Sequence, residues 1–223
     1  LGPSGSGKST LFSIIGGILK PEDGKITLDQ ASILNQPGYI SYMPQQDALF
    51  AWRTILNNVL IGQELRGTVD KNFAREMLEK AGLKEVIDSY PHQLSGGMRQ
   101  RAALIRTLVM EPDILLLDEP FSALDYQTRL TVGDDIGQII KNEKKTALLV
   151  THDLSEAISL ADRVIVLTKR PATIRQTISV KFDLEEDTAM HRRNAPEFKH
   201  YFNQIWKELT QDGDDVKVSE PVS

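Results

Sequence analysis

The chain has 223 residues and a formal net charge of −5, from 26 lysines and arginines against 31 aspartates and glutamates. The net charge is negative, and the sequence has no basic cluster of the kind that binds nucleic acid. Nothing in the composition therefore favours a nucleic-acid partner. The sequence contains no cysteine, which excludes a disulfide framework and a thiolate metal site. A chain of this length can bury a substantial core as one large domain or two small ones.

Segments with helical and strand periodicity alternate along the chain. The predicted helices lie at about Lys8 to Gly16, within 54–83, from Ser95 to Met110, from about Asp125 to Asn142, at Ser155–Leu160 and at Phe198–Leu209. The predicted strands are Lys25–Asp29, Tyr39–Met43, Ile114–Leu117, Thr146–Val150 and Arg163–Leu167, with a weaker pattern at Thr173–Val180. This alternation favours a largely parallel sheet covered by helices on both faces.

The first residues form a phosphate-binding motif. Gly2 to Ser9 fit G-x-x-x-x-G-K-[ST], in which backbone amides surround phosphate oxygens, the lysine reaches the β- and γ-phosphates and the hydroxyl binds Mg²⁺. The following helix adds partial positive charge at its N-terminus. The alternative is a chance glycine-rich surface turn, which the apolar helix directly after the motif argues against. The residues expected to contact nucleotide are Gly2, Pro3, Ser4, Gly5, Ser6, Gly7, Lys8, Ser9 and Thr10.

Two adjacent carboxylates end an apolar strand. Asp118 and Glu119 follow Ile114–Leu117 and precede Pro120. In an ATPase site the first carboxylate can hold Mg²⁺, usually through water, and the second can orient and deprotonate the attacking water. The alternative is a pair of solvated acids at a strand end, and the upstream phosphate loop argues against it.

Two other features are ambiguous on their own. The segment Leu94–Gln100 begins with Leu-Ser-Gly-Gly, which is a common helix cap, although exposed amides at a helix N-terminus can also bind phosphate. His152 follows the strand Thr146–Val150, where a lone histidine is more often structural. The same position lies at the sheet edge where open α/β folds bind ligands.

Together these motifs resemble the nucleotide-binding subunit of ATP-binding cassette (ABC) transporters. The phosphate loop, Gln45, the signature Leu94–Gln100, the pair Asp118–Glu119, the loop Ser122–Asp125 and His152 occur in the family's order over residues 1–170. The resemblance implies an α/β P-loop NTPase fold with a RecA-like, mostly parallel sheet core. It also implies one ATPase domain over residues 1–210, with a helical subdomain inserted at about 54–110. Residues 211–223 are polar and partly acidic, which predicts a disordered tail.

The resemblance implies that two subunits enclose two ATP molecules. Each ATP would be bound by one subunit's phosphate loop and by Ser95 and Gly97 of the other, and Asp125 would communicate across the dimer. The catalytic residues would be Glu119, as the base, and His152, as a contact to the γ-phosphate. The expected ligands of Mg²⁺ are Ser9, Gln45 and Asp118. Gln46 is an alternative to Gln45.

Within the family, Leu49–Thr54, Asp118–Asp125 and Ala161–Leu167 followed by Arg170-Pro171 resemble importers of the nitrate, sulfonate and taurine type. This implies a peripheral subunit on the cytoplasmic face of the membrane. Its partners would be a second ATPase subunit, transmembrane permease subunits and, indirectly, a solute-binding protein. Trp52 would either pack in the core or at its boundary, or line the groove that receives a membrane subunit.

Two other functions are compatible with single motifs. A soluble ABC-type ATPase acting on DNA or ribosomes would have a long coiled coil or a second cassette, and the sequence has neither. A regulatory module that only binds nucleotide has no need of Glu119. Because the chain begins inside the phosphate loop, we expect at least one core strand, and the family's adenine-stacking aromatic residue, to precede it.

Overall fold

The computed structural model describes residues 1–33 and 39–210, so the predicted tail lies outside the described residues. The chain divides into two compact units. The smaller unit contains Leu1–Leu11 and the chain from Val150 onward, and the larger unit is Phe12–Leu149. The predicted boundaries of a single domain over 1–210 stay a prediction. Within the described ranges, no helix is both long enough and apolar enough to span a bilayer.

Helices and strands alternate, as the sequence pattern predicts. The helices are α1 (Lys8–Ile15), α2 (Ile55–Val59), α3 (Ile61–Arg66), α4 (Lys71–Lys80), α5 (Gly96–Leu108), α6 (Tyr126–Asn142), α7 (Leu154–Leu160), α8 (Ala189–Asn194) and α9 (Pro196–Thr210), with 3₁₀ turns at Lys84–Val86 and Pro91–Gln93. The strands are β1 (Thr27–Leu28), β2 (Ala31–Ser32), β3 (Ile40–Met43), β4 (Ile114–Asp118), β5 (Thr146–Val150), β6 (Arg163–Leu167) and β7 (Ile174–Ser179).

The sheet of the larger unit has the strand order β3-β4-β5. Strand β3 runs parallel to β4, with Ile40 opposite Ile114 and Met43 opposite Leu117. The central strand β4 is apolar and almost fully buried because helices cover the sheet. Parallel strands end at the same edge of a sheet, so the chain that follows Met43 and the carboxylates that end β4 come to one edge.

The segment predicted to be helical over 54–83 is helical but interrupted. Thr54 caps α2 by accepting a hydrogen bond from the amide of Asn57 at 3.3 Å. Gly67, with φ of 71°, ends α3 in the left-handed region, where glycine is favoured. Asp70 then caps α4 by accepting from the amide of Phe73 at 2.9 Å. Capping residues therefore divide the periodic segment into short helices, which pack against one another and against α5.

The predicted strand Lys25–Asp29 is wrong in extent. The structure has a short antiparallel hairpin instead, in which β1 pairs with β2 and Leu28 lies opposite Ala31. Asp29 and Gln30 form the turn, with φ of 48° and 68°. Two consecutive residues with positive φ are typical of a type I′ hairpin turn, which usually has glycine at its second position. The absence of glycine at position 30 explains why the sequence does not signal this turn.

The smaller unit contains an antiparallel pair of strands. Strand β7 pairs with β6, with Val164 opposite Ile178, so the weak strand pattern at 173–180 is confirmed. Helices α7 and α9 pack on these strands and bury Ile158, Val166 and Ile205 completely. On α9, Ile205 and Leu209 are buried, and Phe202 and Trp206 are partly buried against the same cluster. Helix α8 was not predicted.

Candidate active site

The phosphate loop forms a tight turn at the start of α1. Gly5 and Gly7 have φ of 77° and 93°, a region that side chains disfavour, so these two glycines allow the chain to bend before the helix starts at Lys8. The ammonium of Lys8 donates to the carbonyl oxygens of Gly2 and Pro3, each at 2.9 Å. The lysine therefore lies back over the loop, where an anion would meet it.

Polar groups of the loop are available to a ligand. Ser4, Ser9 and Thr10 are exposed. The hydroxyl of Ser6 is buried, and within the described part of the chain it has no hydrogen-bond partner. Buried hydroxyls are normally satisfied, so this oxygen fits a loop that closes around phosphate. His152 is an exposed residue of the same unit and directly follows Thr151 after β5.

The carboxylate of Asp118 is held by a tyrosine. Asp118 is the last residue of β4 and is buried, with Oδ2 accepting a hydrogen bond from the hydroxyl of Tyr42 at 3.0 Å. Burial, followed by the charge of Asp118 and this hydrogen bond, raises the pKa of Tyr42 to about 12. The hydroxyl therefore stays protonated and donates at neutral pH. Sequence reasoning missed Tyr42, whose only signal is its position near the end of the strand beside β4.

Glu119 lies in a small network of side chains. Its Oε2 accepts from the amide nitrogen of Gln45 at 3.1 Å, and the same nitrogen lies 3.2 Å from Oγ of Ser122. The Ser122 hydroxyl donates to the backbone oxygen of Glu119 at 3.0 Å. The backbone of Glu119 has φ of 46°, a costly conformation for a residue with a side chain and one that occurs often at active sites. These contacts favour Gln45 over Gln46 as the glutamine of the site.

The signature segment lies at the start of α5. Ser95 is exposed and caps this helix by accepting from the amide of Met98 at 3.3 Å. Helices α5 and α6 approach closely at Gly97, where a Cβ atom would lie 2.7 Å from Cγ2 of Val132. Asp125 caps α6 and accepts from the amide of Thr128 at 3.0 Å. Hydrogen bonds from the side chain and amide of Thr128 lower the pKa of Asp125, which keeps it ionised.

Trp52 is not a core residue. Its side chain is 74% exposed, and its ring centroid lies 5.0 Å from that of Phe50, which is also exposed. Of the two roles considered for Trp52, core packing is therefore wrong. An exposed aromatic pair of this kind is typical of a surface that contacts another protein.

The proposed donors to Mg²⁺ are all oxygens. No group of three or more histidine, aspartate or glutamate side chains is close enough to hold a metal ion by itself within residues 1–33 and 39–210. The hydroxyl of Ser9, the amide oxygen of Gln45 and the carboxylate of Asp118 are hard donors of the type that Mg²⁺ prefers. A small protein donor set suits this ion, because Mg²⁺ usually keeps several waters and binds substrate phosphates.

Comparisons with known proteins show the family of the chain. A family model described as ABC transporter matches residues 1–122. The uncharacterized ABC transporter ATP-binding protein YtlC of Bacillus subtilis is 44% identical over 212 residues, covering 94% of this chain and 82% of the relative. The nitrate import ATP-binding protein NrtD of Synechocystis is 37% identical over 212 residues, covering 92% and 80%. A solved dimer of the ATP-binding cassette MJ0796, in a post-hydrolysis state bound to ADP and Pi, matches with a TM-score of 0.66 at 30% identity, covering 82% and 84%.

The chain therefore belongs to the ABC transporter family, and it is an ABC ATPase with the P-loop NTPase fold. Relatives at 36% and 37% identity include import ATP-binding proteins for aliphatic sulfonates in Bacillus licheniformis and for taurine in Roseobacter denitrificans. The predicted family, fold and resemblance to the nitrate, sulfonate and taurine group are confirmed.

Proposed function

We propose that this chain is the ATP-hydrolysing subunit of an importer for a small solute of the nitrate, sulfonate or taurine class. The observation that carries the proposal is the carboxyl edge of the sheet in the larger unit. There a buried Asp118 is held by Tyr42, and Glu119 is contacted by Gln45. A binding module has no use for a second, accessible carboxylate at this position, whereas hydrolysis requires a base for water.

The phosphate loop binds the triphosphate of ATP. Lys8 exchanges its two carbonyl contacts for phosphate oxygens, and backbone amides around Gly5 and Gly7 bind further oxygens. Thr10 and the exposed hydroxyl of Ser9 lie at the start of α1, where the helix dipole favours negative charge.

Asp118, Gln45 and Ser9 are the residues that would hold Mg²⁺. When bound, this ion neutralises charge that develops on the phosphate oxygens. Glu119 orients and deprotonates the attacking water, and the amide of Gln45 holds its carboxylate by a hydrogen bond to Oε2. His152 contacts the γ-phosphate and donates a hydrogen bond to it.

Two copies of the chain share each ATP. Ser95 is exposed at the N-terminus of α5, and Gly97 lies in the first turn of that helix, where it is buried against α6. Asp125 caps α6. The amides at the N-terminus of α5 suit phosphate oxygens from a second copy. The dimeric state of the MJ0796 structure supports this arrangement.

The subunit works at the cytoplasmic face of the membrane, where it binds permease subunits. A solute-binding protein is an indirect partner. The import functions in the names of several relatives support this assignment. The exposed pair of Trp52 and Phe50 provides an apolar surface for a permease segment.

The proposal is tested by measuring ATP binding and ATP turnover of the full chain separately. Glu119→Gln should lower turnover by about 10²- to 10⁴-fold while ATP affinity is retained, because only the base is lost. Lys8→Ala should instead weaken ATP binding. Glu111→Gln is the matched control, since Glu111 is an exposed glutamate that shares the positive φ, 51° against 46° for Glu119. Wild-type turnover in Glu119→Gln would show that Glu119 is not the base.

A further inference from the structure

A buried hydrogen-bond chain fixes the turn that carries His152. Thr151 and Glu156 are 3% and 4% exposed. The hydroxyl of Thr151 donates to Oε2 of Glu156 at 2.6 Å, and its oxygen accepts from the amide of Asp153 at 3.0 Å. That amide belongs to the peptide bond that directly follows His152. The Glu156 carboxylate on α7 is therefore linked through the Thr151 hydroxyl to the peptide bond that follows His152.

The other side of the turn is fixed as well. Oδ1 of Asp153 accepts from the amides of Ser155 and Glu156, at 2.7 and 3.1 Å, and so caps α7. His152 remains exposed between two anchored neighbours. This local arrangement restrains the backbone of the turn while leaving the imidazole accessible.

The burial of a glutamate at position 156 needs an explanation that packing does not give. Burying a carboxylate is costly, and an apolar residue of similar volume at a buried helix position is often neutral or better for stability. A carboxylate does what an apolar side chain cannot, because it accepts a hydrogen bond from the Thr151 hydroxyl. This acceptance directs an oxygen lone pair of Thr151 toward the amide of Asp153.

We propose that Glu156 and Thr151 are positioning residues for His152 in ATP hydrolysis. The inference rests on the proposed function, in which His152 contacts the γ-phosphate. A histidine held on a fixed turn reaches the phosphate without an ordering cost at the moment of reaction. Loss of the hydrogen bonds between Glu156, Thr151 and the amide of Asp153 would slow the chemical step and leave ATP binding by the phosphate loop unchanged.

The test compares steady-state kinetics of single variants in the full chain. Thr151→Val removes the hydroxyl at constant shape and should lower kcat roughly tenfold with little change in KM, because the reacting group is misplaced. Thr151→Ser restores the hydroxyl and should restore kcat. Ser159→Ala is the matched control, since Ser159 is a buried hydroxyl on α7 that bonds only carbonyls of its own helix at Ser155 and Glu156. It should leave kcat unchanged.

A second variant separates positioning from folding. Glu156→Leu with Thr151→Val replaces both partners by apolar side chains, which can be nearly neutral for stability. This double variant should unfold at a midpoint close to that of Ser159→Ala and still show the low kcat of Thr151→Val. Wild-type kcat in the folded double variant would overturn the inference, as would a loss in Thr151→Val that Thr151→Ser does not restore.

His152→Ala distinguishes failure of this inference from failure of the proposed function. If His152→Ala lowers kcat and Thr151→Val does not, only the positioning role is wrong. If His152→Ala keeps wild-type kcat, the histidine has no part in hydrolysis. The positioning role of Thr151 and Glu156 is then wrong as well.

Discussion

The hydroxyl of Tyr42 determines how Asp118 is presented at the end of β4. A carboxylate at a strand end can rotate about its side-chain torsions, and the 3.0 Å hydrogen bond from Tyr42 restricts that rotation. Side chains that orient a metal ligand in this way affect metal affinity although they do not touch the metal. In the proposed magnesium site, Tyr42 is therefore a positioning residue for Asp118.

Tyr42→Phe should raise the Mg²⁺ concentration that gives half-maximal ATP turnover by about tenfold, because the ligand loses its orienting donor. The measurement is a Mg²⁺ titration of turnover at saturating ATP. Tyr39→Phe is the control, since Tyr39 is exposed just before β3. An unchanged titration midpoint in Tyr42→Phe would show that Asp118 needs no such partner.

The same tyrosine predicts a pH dependence of stability. Its pKa is raised from 10.0 to about 12, so the native state binds this proton more tightly than the unfolded state. The resulting stabilisation is complete below pH 10 and is lost as pH rises from about 10 to 12. Chemical denaturation across this range should show a steeper fall in unfolding free energy for wild type than for Tyr42→Phe. Parallel curves for the two proteins would contradict this.

The main residues of the site could be predicted because they occur in ordered motifs, whereas their supports could not. Asp118 and Glu119 are readable from the apolar run before them. Tyr42 is 76 residues away from Asp118, and their contact depends on the register of β3 against β4. Ser122 was noted only as part of a loop, because its bond to Gln45 depends on the turn at Glu119.

At the level of elements, the close approach of α5 to α6 depends on Gly97. Gly97→Ala places a Cβ 2.7 Å from Val132, so the two helices must separate. We expect a loss of about 1–3 kcal/mol in unfolding free energy, as for other overpacked contacts. Gly133→Ala in α6 is the control, because its Cβ meets no atom within 4 Å and should stabilise the helix by about 0.5–1 kcal/mol. Equal effects in denaturant titrations would contradict the account of this contact.

Element boundaries were predictable where a side chain marks them. Ser95 caps α5 as expected, and α6 begins close to the predicted position because Asp125 caps it. Both side chains accept a hydrogen bond from an amide three residues later. The β1-β2 turn at Asp29 and Gln30 has no glycine signal. Helix α8 is only six residues long, too short for apolar periodicity to be recognised, although Thr188 caps it.

For the whole molecule, the proposed function requires that two copies of the chain hold one ATP between them. In each copy, the phosphate loop and the signature at Ser95 belong to different compact units. Ser95 is exposed and bonded to its own helix, so it is available to a ligand carried by a second copy. The motif order predicts an ATPase, and the resemblance to the family implies the sharing of ATP. The residues alone do not show this sharing, because it is a property of the assembly.

Complementation between two inactive variants tests the sharing of ATP most directly. Lys8→Ala disables the phosphate loop. Ser95→Asp keeps the helix cap, since aspartate is a good N-cap, and places a negative charge against the γ-phosphate. A mixed dimer then contains one intact site, formed by the loop of one variant and the signature of the other. ATP turnover of the mixed full-length chains should clearly exceed the sum of the two variants alone, whereas turnover equal to that sum would contradict the account.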